Sequence, residues 1–104
     1  MKRYMYVAVR QDISGPQQVV QACHAAIEAS WTYHFDGFEH PSVIVLGMKS
    51  EKDLNKFTKY LDTLEFVHYD EFREPDRDNE LTAVATVAIG EEYKHLFKKY
   101  QLLK

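Results

Sequence analysis

The stretch Gln21-Ala22-Cys23-His24-Ala25-Ala26 lies in the middle of a segment whose pattern predicts a helix from Ser14 to about Trp31. Ser14 can cap this helix, Gln17 follows three residues later as in a capping box, and Pro16 suits a first turn. Apolar residues recur at helical spacing and predict one buried stripe. That stripe consists of Val19, Val20, Cys23, Ile27 and Trp31. The alanines keep the surface of the helix thin, so we expect it to lie close against a sheet.

Two continuous apolar runs flank this helix, at residues 4–9 and 42–47, and each predicts a strand that is buried on both faces. Strands that are joined by a helix are expected to pair in parallel through a right-handed crossover. Residues 66–72 alternate and predict a third, less buried strand. Residues 81–89, rich in Val, Thr and Ala, predict a fourth.

Two further helices follow the second and fourth strands. Ser50, with Asp53 three residues later, predicts the start of one, and Gly90 precedes the other. The first should bury Leu54, Phe57, Leu61 and Leu64, and the second should present Tyr93, Leu96, Phe97 and Tyr100 on one face. This order of elements predicts an α/β fold in which a small mixed four-stranded β-sheet is flanked by helices. Residues 1–104 contain neither repeats nor linkers and are expected to form a single domain.

Composition and charge limit the function classes. The single cysteine excludes an internal disulfide and favours a reducing compartment. No pattern typical of a secretory signal or a membrane span is found, so a cytoplasmic protein is expected. The net charge of −3 counts against a nucleic-acid binder, because phosphate recognition usually needs a positive field. A lysine cluster near the C-terminus could supply such a field locally, or could complement a helix dipole. Its members are Lys94, Lys98, Lys99 and Lys104.

The polar side chains of the first helix are the first candidate site. They recur at helical spacing as Gln17, Gln21, His24 and Glu28, beside the apolar stripe. A histidine in this position is either a structural residue or a general acid or base. Cys23 is not expected to pair with His24, because neighbours on a helix point roughly 100° apart. Its place on the apolar stripe predicts a small core residue.

Three other groups of residues are weaker candidates. Residues 74–80 are acidic and favour either a solvated turn or a site on a loop. The residue types of His34, Asp36 and His40 suggest a metal site. Their spacing, however, matches no closed ligand set. Aromatic side chains could stack on bases or close the edge of the core. These are Trp31, Tyr33, Phe35 and Phe38.

Three segments together resemble the type 2 peptidyl-tRNA hydrolase superfamily. Residues 7–13 resemble its first strand, which ends Val-Val-Arg-x-Asp-Leu, and residues 20–26 resemble its Gln-Cys-Ser-His-Ala-Ala helix. Residues 85–90 resemble its Thr-Val-Leu-Ala-Ile-Gly strand. The divergent peptidyl-tRNA hydrolase domain-containing branch is closer still, with a Val-Ala-Gln-Ala-Cys-His-Ala-Ala helix and a Leu-Lys-Lys-Phe tail that is comparable with residues 97–100. The similarity spans nearly the whole chain in the expected order.

The resemblance implies a homodimer that hydrolyses the ester between a peptide and tRNA, without a metal or other cofactor. It implies that His24 is the family histidine, with Glu74 as the nearest equivalent of the catalytic aspartate and Thr82 as the loop threonine. The implied catalytic residues are therefore His24, Glu74 and Thr82. The implied substrate-binding residues are Gln17, Gln21 and Asp76, of which Asp76 is also an alternative for the aspartate.

One departure from the family pattern leads to a second hypothesis. The family has a Lys-Met-Gly-Lys-Gly-Lys stretch before the histidine, whereas this chain has Ser14-Gly15-Pro16-Gln17-Gln18. Gln17 stands where a lysine is usual, and losing that cation removes charge stabilisation of the transition state. The alternative function is a catalytically inactive protein that binds a nucleotide, an RNA end or a small ligand.

Overall fold

The computed structural model describes residues 2–33 and 40–104. The chain forms β1 (Arg3–Arg10), α1 (Gly15–Thr32), β2 (Ser42–Met48), α2 (Glu51–Asp62), β3 (Tyr69–Glu74), β4 (Glu80–Thr86) and β5 (Ile89–Gly90). Two 310 segments, Pro75–Arg77 and Glu91–Phe97, complete the order. The predicted α/β class is confirmed, with one difference: the fourth predicted strand is divided, so the mixed sheet has five strands.

The strands follow the order β2-β1-β4-β3, and the short β5 also pairs with β1. β1 and β2 pair in parallel from Tyr4 and Ser42 to Arg10 and Met48, which confirms the predicted parallel pairing. β4 is antiparallel to both β1 and β3. β1, β2 and β3 therefore end where β4 begins. We call this part of the molecule the Arg10 end of the sheet.

The helices cover opposite faces of the sheet. The α2 face has a core of large side chains, and Leu54, Phe57 and Leu61 are fully buried there, as predicted. Leu64 is partly buried against the same core. The α1 face has a thinner core, in which the strand residues meet Ala25 and Ala29. The difference in residue size allows α1 to approach the sheet more closely than a leucine-rich helix could.

The predicted orientation of α1 is wrong. The residues of the expected buried stripe face solvent, with Trp31 81% and Ile27 62% exposed. Val19, Val20 and Cys23 are exposed as well. The helix instead buries Gln21, Ala25 and Ala29. The reason is that the sheet face beneath α1 presents Ala83 and Ala85, where close packing favours small side chains.

Other elements differ from expectation in position or burial. β2 is an edge strand and is only partly covered: Val43 is exposed, whereas Leu46 and Met48 are buried. β3 begins at Tyr69, so Phe66, predicted as its first residue, lies outside it and is exposed.

The C-terminal part of the chain covers the free edge of β2. The last predicted helix is the 310 segment Glu91–Phe97, which buries Phe97 but leaves Tyr93 exposed. The tail that follows it bonds to β2, since Gly47 N–H donates to the Gln101 carbonyl at 3.0 Å and Leu103 N–H donates to the Val45 carbonyl at 2.9 Å. These bonds occupy backbone groups that an edge strand would otherwise present to other chains.

A tight loop connects β3 to β4 at the Arg10 end. After the 310 turn, Asp78 and Asn79 adopt positive φ angles of 54° and 60°. Asp and Asn enter this left-handed region more readily than other non-glycine residues. The Asn79 N–H then donates to the Glu74 carbonyl at 3.0 Å and closes the loop.

In the described parts of the chain, no helix combines the length and apolar character needed to cross a membrane.

Candidate active site at the Arg10 end

The start of α1 lies over the start of β4, and a buried polar link connects them. Gln21 and Thr82 have no exposed surface, and the Thr82 hydroxyl donates to Gln21 Oε1 at 2.8 Å. The Gln21 Nε2 group donates in turn to Gln17 Oε1 at 3.2 Å. Three side chains from the expected site are thus brought together. The sequence alone could not show that they bond to one another.

A β-bulge explains why Thr82 points towards α1. The register between β3 and β4 shifts at Phe72 and Arg73, whose partners are Ala83 and Leu81. Thr82 is the extra residue, so both it and Ala83 lie on the α1 face. Gln21, predicted to bind substrate, and Thr82, predicted to be catalytic, are both fully buried here and bonded to each other. Their bonds instead hold α1 in position over the sheet.

His24 is exposed and rests on an aromatic ring of β3. Its imidazole is stacked on Phe72 with ring centroids 4.6 Å apart and an angle of 9° between the planes. α1 contacts the sheet through Ala25 and Ala29, and the neighbouring His24 lies over the edge strand β3. Stacking fixes the plane of the imidazole but uses neither ring nitrogen. Within residues 2–33 and 40–104 neither ring nitrogen has a hydrogen-bond partner, so both are accessible at the surface.

Carboxylates flank Phe72 along β3. Alternate residues of a strand share a face, so Asp70 and Glu74 lie on the α1 face with Phe72, each roughly 7 Å along the strand from it. Glu74 is half-buried and Asp76 is exposed in the loop. In the described chain, neither of these two predicted site residues forms an ion pair, and neither bonds to His24.

Asp70 was not a candidate from the sequence. Its Oδ2 atom is buried without a hydrogen-bond partner in the described chain. A carboxylate oxygen in this state is costly and is typical of groups that meet a ligand or water. Only the alternation of residues 66–72 could have indicated it, because that pattern puts Asp70 and Phe72 on one side.

The other residue that the sequence did not single out is Arg10. It is 7% exposed, and its Nε and Nη2 atoms donate to the two carboxylate oxygens of Asp12 at 2.8 and 2.9 Å. Its Nη1 atom donates to Glu80 Oε1 at 2.8 Å and to the Leu81 carbonyl at 3.2 Å. The hydrogen bond with Asp12 raises the pKa of Arg10, and the same bond lowers the pKa of Asp12. The signal in the sequence was a charged pair directly after a buried apolar run.

The bonds around Arg10 join β1 to β4, and a further bond joins β4 to α2. Glu51, in the first turn of α2, accepts from the Leu81 N–H at 2.8 Å. Four of the five guanidinium N–H groups are used in these bonds, and they bind two carboxylates of the same chain. Arg10 therefore fixes the ends of β1 and β4 rather than offering a free cation to a phosphate.

The weaker candidates do not form a site in the parts of the chain that are described. His34, Asp36, Phe35 and Phe38 lie outside the described residues. His40 is exposed, with Nδ1 3.2 Å from the Pro41 carbonyl. Among residues 2–33 and 40–104, no three His, Cys, Asp or Glu side chains are grouped so that they could hold a metal ion. Tyr33 packs on His68 and donates to the Tyr69 carbonyl, whereas Trp31 makes no such contact with the residues that the structure describes.

Comparison with known proteins leaves the family as a prediction. No known protein-family model matches the sequence, and no curated protein matches it either.

Proposed function

We propose that the protein hydrolyses an ester of the peptidyl-tRNA type, with His24 as the group that transfers the proton. The observation that carries this proposal is the stack of the exposed imidazole on Phe72, at 4.6 Å and 9°. A histidine whose ring plane is held by stacking, and whose nitrogens have no partner in the described chain, can serve as a general acid or base. The sequence resemblance supplies the substrate class.

Each other group near His24 has a narrower role in this proposal. Glu74 orients the attacking water from the same face of β3. Gln21 and Thr82 act as positioning residues through α1. The helix start offers little to an oxyanion, because Pro16 has no N–H and the N–H groups of Gln17 and Gln18 both donate to Ser14. This leaves the Gly15 amide as the donor at that position.

Release of the blocked amino acid from N-acetyl-aminoacyl-tRNA tests the proposal. His24→Ala is expected to slow release by roughly 100-fold or more, since a positioned general base contributes that much. His95→Ala is the matched control, because His95 is an exposed histidine on the 310 segment Glu91–Phe97. The proposal fails if the purified protein releases nothing, or if the two variants behave alike.

The second candidate function is an inactive protein that binds a nucleotide, an RNA end or a small ligand in the same place. Gln17 favours it, because the side chain that replaces the family lysine is neutral and already bonded to Gln21. Binding of a CCA-ended RNA hairpin, followed by fluorescence anisotropy, separates the two. Binding that is weakened by Phe72→Ala, with no ester hydrolysis, would support this second function.

We also propose that the protein forms a homodimer through α1. The supporting feature is the exposed row of Val19, Cys23, Ile27 and Trp31, which repeats every four residues along the outer face of the helix. Apolar surface of this kind on a regular helix is typical of an interface. A symmetric dimer would bring two copies of the same row together.

Sedimentation and the emission of Trp31, the only tryptophan, test this assembly. The emission should shift to the blue as the concentration rises, because dimerisation removes the indole from water. The double variant Ile27→Ser/Trp31→Ser should sediment as a monomer. Val43→Ser, which changes an exposed apolar residue on β2, is the control and should leave the assembly unchanged.

A further inference from the structure

A cavity on the α2 face lies apart from the candidate active site. It has a volume of about 190 Å³ and opens between the end of the chain, β1 and β2. Four of its eight lining residues are apolar, namely Ile44, Leu46, Phe97 and Leu102, and the rings of Tyr6 and Tyr100 add to the wall. An apolar cavity of about 150 Å³ is large enough for benzene. This partly open space is therefore about the size of one aromatic ring with a short substituent.

Tyr6 forms part of the wall and has an unused hydroxyl. The residue is 2% exposed and its ring is stacked on Phe97, with centroids 4.0 Å apart. Its Oη atom is buried and has no hydrogen-bond partner in the described chain. Burial also raises the pKa of Tyr6, which keeps the hydroxyl neutral and able to donate. An unpartnered hydroxyl is costly in a core that could have used phenylalanine.

The charge around the cavity has one sign. Lys94 and Lys98 line it, and its eight described lining residues include no Asp or Glu. The Lys94 ammonium lies over the Tyr4 ring at 4.8 Å from the centroid, and Lys98 is exposed. A ligand with an anionic group would meet complementary charge at this position, whereas a cation would be repelled.

We propose that this cavity binds a small aromatic carboxylate. The ring of the ligand lies among the apolar side chains and its carboxylate is held by the lysines. An oxygen of the ligand supplies the partner that the Tyr6 hydroxyl lacks. This site is independent of His24, because Tyr6 and Val7 point to opposite faces of β1 and α1 covers the face of Val7.

Phenylacetate is the probe, and NMR titration of the full chain is the measurement. Shifts are expected at Ile44, Leu46 and Leu102, with a Kd on the order of 1 mM. Phenylacetamide has the same shape without the charge and should bind about tenfold more weakly. The proposal is overturned if phenylacetate causes no shifts at these residues, or if the amide binds equally well.

Two double variants test the role of Lys94 and Lys98. Lys94→Gln/Lys98→Gln should weaken phenylacetate binding about tenfold and leave phenylacetamide unaffected. Lys52→Gln/Lys56→Gln makes the same change in net charge on the outer face of α2 and should have no effect. Equal losses in the two double variants would mean that the lysines at the cavity do not hold a carboxylate, and would reject the proposal.

Tyr6→Phe separates a binding role from a structural one. It keeps the stack on Phe97 and removes only the unpartnered hydroxyl, so the free protein should be as stable as wild type or more so. Binding of phenylacetate should nevertheless become several-fold weaker. A variant that is equally stable and binds the probe as tightly as wild type would contradict the proposed site.

Discussion

At the scale of single residues, Gln21 shows how a long amide can be buried when both its oxygen and its nitrogen are bonded. Both ends of the amide are bonded, one to Thr82 and the other to Gln17. A buried polar group is tolerated when its bonds are complete, and removing one partner costs more than the bond was worth. The link is therefore sensitive to small changes in its members.

Thr82→Val keeps the shape of the side chain and removes the hydroxyl that Gln21 Oε1 needs. We expect the free energy of unfolding to fall by about 1–3 kcal/mol, measured by chemical denaturation. Thr32→Val, at the exposed end of α1, is the control and should change it by less than about 0.5 kcal/mol. Adding Gln21→Leu to Thr82→Val should restore part of the loss. Equal effects of the two threonine variants would show that the link contributes nothing.

Asp12, at the same end of the sheet, is expected to make the free energy of unfolding depend on pH in the acidic range. Its pKa is lowered from 3.8 by the hydrogen bond with Arg10, so its contribution is present above about pH 4 and is lost as pH falls through the lowered value. Asp12→Asn should cost about 1 kcal/mol at neutral pH, a modest value because the carboxylate is 39% exposed. The difference from wild type should shrink below pH 4 in unfolding curves.

The control for that series is Glu65→Gln. It removes an exposed carboxylate that has no ion pair in the described chain, so it matches the change in net charge. If the difference between wild type and Asp12→Asn stayed constant from pH 7 to about pH 2, the bond between Arg10 and Asp12 would not be the cause.

Residues that act locally were predictable from the sequence, and residues that act through distant partners were not. Ser14 and Ser50 cap their helices as expected, because a cap depends on three neighbouring positions. The burial of Gln21 depends on Thr82, which is 61 residues away and turned inward by a bulge. Likewise, the pattern located His24 on a polar stripe but gave no sign that Phe72 would lie beneath it.

At the scale of elements, α1 and α2 show when helical periodicity is sufficient to predict which side of a helix is buried. α2 has a charged outer face, so its leucine stripe had a single possible orientation. α1 contains one Asp, Glu, Lys or Arg, namely Glu28, and its two candidate faces are both free of strong charge. Hydrophobicity alone therefore predicted that the row with Ile27 and Trp31 is buried. In the structure the row with Ala25 and Ala29 is buried instead, because it packs closely on Ala83 and Ala85. The sequence pattern identified the helix but could not identify its buried side.

The pairing of the tail with β2 offers a test at this scale. Leu103→Pro removes the N–H that donates to Val45, and we expect exchange of the neighbouring Gly47 amide to become about tenfold faster. Leu103→Ala loses the side chain, which packs on the α1 face of the core, but retains the N–H. Hydrogen exchange by NMR should therefore separate the two. Similar rates in both variants would mean that packing alone holds the tail.

At the scale of the whole molecule, the two faces of the sheet have cores of different composition. The α2 face holds the aromatic cluster, where Phe57 meets Tyr100 edge to face at 4.9 Å. The α1 face relies on alanines and on the Gln21 link. The overall class and the parallel pairing of β1 with β2 followed from the sequence because they depend on many residues at once. The exact division of the core between the faces did not, because it depends on which side of α1 is buried.

Phe57→Ala is expected to cost about 3–5 kcal/mol, a large part of the stability of a domain of this size. Ile27→Ala removes a side chain that is 62% exposed and should cost less than about 0.5 kcal/mol. Thermal and chemical unfolding of dilute protein compare the two directly. A loss of several kcal/mol for Ile27→Ala would contradict the outward orientation of α1.

The central position of β1 has a consequence for synthesis on the ribosome. This strand is translated before the other strands of the sheet, yet one of its two long neighbours is β4, with Val7 beside Ala85. The nascent chain can pair β1 with β2 early, but the middle of the sheet stays open until β4 has emerged. During that interval an apolar strand is exposed, which makes it a natural ligand for a chaperone that binds unfinished chains.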